Sequence, residues 1–160
     1  MKGFRLAAVL TLAAVIGAAA TAVVIAQSTT PTAQRTALAQ STKVQGVKGR
    51  TLGLSRVVIP AGASIALHHH LGTQVAYIQS GVLSYTVQEG SVSVMSGPAD
   101  GEPKLVRKIS AGQTGKISAG QWIVEQPSVI HQAANRGSAK IVIYLSTLLK
   151  TGAPPSTPVQ

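Results

Sequence analysis

One hundred and sixty residues suffice for one domain and a leader, and the absence of cysteine excludes a disulfide framework, a cysteine-based zinc site and lipid attachment through an N-terminal cysteine. Fourteen Lys and Arg against four acids (Glu89, Asp100, Glu102, Glu125) give a net charge of +10, which attracts anionic surfaces. The positives are spread as singles with no block beyond Arg107-Lys108, the pattern of a solubilising coat, and one Phe, one Trp and three Tyr are too few for a stacking groove, so no nucleic-acid partner is expected.

Residues 1–27 read as an export segment. Lys2 and Arg5 precede an apolar helical run, 6–26, broken only by Thr11, Gly17 and Thr21. Small residues near its end suit removal as a signal peptide. Its length also suits an uncleaved anchor, a membrane tether through residues 6–26. The mildly apolar, Ala-rich composition favours cleavage. Either outcome puts the folded part outside the cytoplasm, periplasmic or secreted. Residues 28–45, rich in Thr, Ser, Ala and Gln, read as a flexible linker.

From 46 to 149 the texture becomes short β-branched and aliphatic runs separated by glycine turns. Strands are predicted at 51–59, 64–70, 74–79, 82–88, 91–95, 104–109, 115–117, 122–126, 131–135 and 140–147. Pro60-Ala61-Gly62, Gln79-Ser80-Gly81 and Asn135-Arg136-Gly137 mark turns. Lys108-Ile109-Ser110-Ala111-Gly112-Gln113 recurs as Lys116-Ile117-Ser118-Ala119-Gly120-Gln121, so Gly112 and Gly120 should occupy equivalent turns. With no amphipathic helix in this stretch, an antiparallel sandwich or barrel is expected. Residues 150–160 are Pro-rich and read as a disordered tail.

His68 and His70 are two residues apart, a spacing that puts both rings on one face of a strand and His69 on the other. A short turn then leads to Gln74, and His131 follows in its own Pro-and-turn context. Together they are candidate ligands for one metal ion. Three neutral imidazoles suit a divalent transition metal: zinc, iron, manganese, nickel or copper.

These residues resemble the two motifs of the cupin superfamily, in particular small single-domain cupins of the type-2 kind. Gly62, His68, His70, Gln74 and Gly81 keep the spacing of the first motif, with Gln74 where an acid is usual. Gly120, Pro127, His131 and Asn135 fill the second, although Pro127 comes one residue late and residues 128–130 lack the usual glycine. The resemblance covers residues 50–148. It implies an all-β fold, the double-stranded β-helix or jelly-roll barrel, with metal ligands converging on its interior, and by analogy a homodimer.

An amide at position 74 is a neutral ligand, so His68, His70, His131 and Gln74 would leave the metal's charge uncompensated and favour an anionic small molecule. Within the motifs the only acid is Glu125, and alternation from Trp122 sets it on the face opposite Trp122 and Val124, which gives no interior place for it. Asn135 is expected to form a turn rather than a ligand contact. Tyr77, Tyr85, Trp122 and Tyr144 are expected in the core or the pocket wall.

Three functional readings follow. The resemblance implies metal-assisted dioxygenation, decarboxylation or isomerisation of a small oxygen-rich substrate. A non-catalytic envelope module that captures a small anion or sugar is the second. The third is a structural envelope protein whose barrel holds no metal.

Overall fold

The computed structural model describes residues 31–98 and 100–159. The predicted export segment at 1–27, with its apolar helix, therefore lies outside the described residues. Among the described residues the secondary structure is all β. The strands are β1 (Gln34–Ser41), β2 (Arg50–Ile59), β3 (Ser64–His69), β4 (Gly72–Ser80), β5 (Val82–Glu89), β6 (Ser91–Ser96), β7 (Lys104–Ser110), β8 (Thr114–Ser118), β9 (Gln121–Glu125), β10 (Ile130–Ala134), β11 (Ile141–Lys150) and β12 (Thr157–Pro158).

They form two antiparallel sheets, one of seven strands in the order β1-β2-β11-β4-β9-β6-β7 and one of five in the order β12-β3-β10-β5-β8. The chain crosses repeatedly from one sheet to the other, as in a jelly roll. Period-two alternation sets the inner faces. Along β4, Gln74, Ala76 and Ile78 are buried while Val75 and Tyr77 are exposed. Ile59, Ile78, Val87, Val94, Ile117 and Ile123 are wholly withdrawn from water, each burial worth roughly 2 kcal/mol.

The duplicated hexapeptide makes two equivalent turns. Gly112 and Gly120 both have φ near +80°, which favours glycine. In each turn the Gln side chain accepts a backbone N–H three residues back: Ser110 N–H donates to Gln113 Oε1 at 2.9 Å and Ser118 N–H to Gln121 Oε1 at 2.8 Å. Gly72, where the chain passes from β3 into β4, has a different reason to be glycine. A Cβ there would run into the Leu148 carbonyl and the Leu149 Cα of β11.

Three expectations are corrected. Residues 34–41, inside the predicted linker, form the edge strand β1, which pairs with β2 from Gln34↔Val58 to Ser41↔Leu52. Every side chain of β1 is exposed, so only the backbone ladder holds it and no hydrophobic pattern announces it. The predicted disordered tail is likewise stitched down. Thr151 N–H donates to Gly49 O, Val159 N–H donates to Leu67 O, and Thr157 and Pro158 pair with His69 and His68 of β3. Pro158 fits because a sheet edge tolerates proline. Finally, Tyr77 is 40% exposed and aligned with Tyr144 and Trp122 on the outer face of the larger sheet, so of the four large aromatics only Tyr85 is buried in the interior.

Candidate metal centre

The five-stranded sheet supplies the imidazoles. His131 on β10 lies directly opposite His68 on β3, and His70 follows immediately beyond the end of β3. All three are buried. One ring nitrogen from each lies within 4.8 Å of the others, and the ring centroids are 4.3–5.2 Å apart. His69 is only half-buried and outside this group, as the alternation predicts.

Backbone carbonyls set the tautomers. His68 Nδ1 faces Ala66 O at 2.7 Å, His70 Nδ1 faces Pro155 O at 2.7 Å, and His131 Nδ1 makes a longer contact of 3.4 Å with Val129 O. A carbonyl only accepts, so the two short contacts put the proton of His68 and of His70 on Nδ1 and leave each Nε2 a lone pair for the centre. The partner of His70 comes from the tail, beyond the span the motifs cover.

The seven-stranded sheet supplies an amide and a carboxylate. Gln74 on β4 and Glu125 on β9 are cross-strand partners, and both are buried. Glu125 accepts hydrogen bonds from Gln74 Nε2 and, at 2.7 Å, from the Tyr85 hydroxyl. Tyr85 in turn stacks on the His131 ring, with centroids 4.9 Å apart. Glu125 Oε1 is 3.1 Å from His131 Nε2 and Oε2 is 3.6 Å from His70 Nε2. Gln74 Nε2 also lies 2.9 Å from His70 Nε2, while its Oε1 is buried without a hydrogen-bond partner among the described residues.

The expectation that Glu125 has no interior place is therefore corrected. Alternation along β9 holds, but Ile123 and Glu125 take the inner positions and Trp122 the outer one, in register with Tyr77 of β4 and Met95 of β6. The centre is not without a negative charge either. The carboxylate missing at position 74 stands directly across the ladder on β9.

Burial pushes His131 down to about 4, against the pull of Glu125. Burial also lowers His70, again against Glu125. Both rings are thus neutral near pH 7 and able to ligate. Burial alone would raise Glu125, but the neighbouring His131 and His70 and the donors Gln74 and Tyr85 outweigh it and hold the carboxyl below its ordinary value. Tyr85 is pushed well up by burial and by Glu125, so it remains a proton donor.

The set fits a cation on its own chemistry. Imidazole lone pairs, a carboxylate and an orphaned amide oxygen crowd one buried spot, and a buried acceptor without a partner is costly. Alongside is a cavity of about 240 Å³. Asn135, by contrast, is a turn anchor. Its Nδ2 donates to Ile59 O and Ala139 O, and its Oδ1 accepts Gly137 N–H.

A family model described as Cupin matches residues 23–156. The chain is a cupin. Its fold is similar to that of a cupin 2 domain-containing protein from Halorhodospira halophila, with 12% identity, a TM-score of 0.51, and coverage of 80% of this chain and 70% of that one. It is also similar to a cupin-like protein from Thermotoga maritima, with 16% identity, a TM-score of 0.50, and coverage of 79% and 75%. No curated protein matches the sequence. For this cupin the double motif led to all three histidines and to Gln74. Glu125, Tyr85 and the Pro155 carbonyl escaped it because they lie between or beyond the motif positions. The one available signal was the inward alternation of β4 and β9, which pairs Gln74 with Glu125 once their register is known.

Proposed function

We propose that this cupin is exported through residues 1–27 to the periplasm or beyond, and holds one divalent transition metal through His68, His70 and His131. Gln74 would add its unpartnered Oε1, and Glu125 would balance part of the charge. The observation that carries this reading is the convergence of one buried ring nitrogen from each of His68, His70 and His131 to within 4.8 Å of one another, with the Glu125 carboxylate 3.1 Å from His131 Nε2 and 3.6 Å from His70 Nε2. The bound metal supplies Lewis acidity or an oxygen-binding centre.

Glu125 supports a catalytic role over a purely capturing one. It is a buried carboxylate lining the cavity, held ionised and oriented by Tyr85 and Gln74, and so placed to accept a proton from a small oxygen-rich substrate. Dioxygenation, decarboxylation and isomerisation all draw on such a pairing of metal and base. Natively purified protein is expected to hold about one metal ion per chain, and His70→Ala and His131→Ala to hold none. Elemental analysis checks this, and full metal in both variants refutes the centre.

A further inference from the structure

The cavity beside the histidines contains a charged group that the metal centre does not use. Arg35 of β1 lines it, as do Gln34 and, from the tail, Pro155 and Ser156. Arg35, Gln34 and Pro155 are exposed whereas the deeper lining is buried, so they mark its open end. Away from this end and the polar centre the walls are apolar, with Val57, Ile65, Leu83, Ile123, Ile143 and Leu145 among them.

Among the described residues, Arg35 is the single Lys or Arg lining the cavity. It forms no ion pair within 4.0 Å among the described residues, and the acid in the lining, Glu125, lies at the inner end beside His70 and His131. Arg35 stands at the exposed mouth of a lining whose inner residues, His70 and Glu125 among them, are buried. A cation without a counterion at the mouth of an apolar cavity attracts an incoming anion. Its planar fork matches a carboxylate in two parallel hydrogen bonds. One guanidinium, apolar walls and the negative Glu125 at the inner end favour a single negative charge over a phosphate. At about 240 Å³ the cavity lies below the ordinary range for drug-sized ligands, so the molecule is small.

We infer, resting on the metal centre proposed above, that Arg35 is the specificity-determining residue of this site. The ligand is a small monocarboxylate whose acid group pairs with Arg35 and whose body lies along the apolar walls, with its other oxygen-bearing end toward the histidines.

The test compares hexanoate with hexanamide, nearly equal in shape and differing in charge, by calorimetric titration of natively purified protein, zinc-loaded and chelator-treated. Hexanoate is expected to bind at least about tenfold more tightly than hexanamide in both forms, the scale of a charge-assisted pair. Arg35→Gln should erase that preference. Arg35→Lys should keep part of it, because the charge remains and the fork is lost. Equal binding of acid and amide, an unchanged preference in Arg35→Gln, or no saturable binding of either probe would overturn the inference. Metal content measured on the same samples keeps the two ideas apart. A wild type that takes up no zinc yet prefers hexanoate through Arg35 counts against the metal centre and leaves the anion site standing.

Discussion

The two walls of the barrel contribute different chemistry to one spot. The five-stranded sheet brings neutral donors, with His68 and His131 face to face on β3 and β10 and His70 just beyond. The seven-stranded sheet brings the charge, through Gln74 and Glu125 on one rung of β4 and β9. The contrast teaches that a motif position and a site position are separate things. The acid expected at position 74 is missing from its strand but present in the cavity, because the neighbouring strand points a carboxylate into the same space.

The junction of the two walls is where this arrangement breaks most severely. Gly72 carries the chain from one sheet to the other against the backbone of β11, with no room for a side chain. Gly72→Ala is expected to cost about 3 kcal/mol, the upper end of overpacking effects. Urea denaturation of the metal-free protein would measure it, and a midpoint matching wild type would mean β4 meets β11 more loosely than described.

Next comes the charge itself. Glu125→Gln should weaken metal binding by about 10- to 100-fold, the usual range for losing a group that supports the ligands. Gln74→Glu combined with Glu125→Gln should recover most of the loss, since it moves the carboxylate across a single rung. Competition against a chelator of known affinity reads both. If the double variant is as weak as the single, position 125 matters for more than its charge.

The smallest effect sharpens the role of the tail. Removing residues 154–160 takes away the carbonyl that holds His70 Nδ1 and the β12 pairing, while every core strand stays. Metal affinity should fall by about tenfold, with the unfolding midpoint nearly unchanged. A variant that binds metal as wild type does would make the Pro155 contact dispensable.

The fold and the imidazole wall are legible in the sequence for a shared physical reason. Period-two burial and a His-x-His spacing are local signals, readable within one strand. What stays hidden depends on strands meeting. Trp122 is the largest apolar residue of β9 and looks like the interior one, yet it covers the outer face and the smaller Ile123 packs inside. Glu125 follows Ile123 inward, a placement that only the pairing with β4 reveals. β1 and β12 escape for another reason. They are held by backbone ladders at sheet edges with little buried side chain, so composition alone makes them look like linker and tail.

X-ray absorption at the edge of the bound metal tests the shared centre most directly, because it counts the imidazoles around the ion. Scattering from three imidazole rings in natively purified protein, falling to two in whatever metal His68→Ala retains, is the predicted result. A metal surrounded by oxygen donors with no imidazole signature would contradict the account.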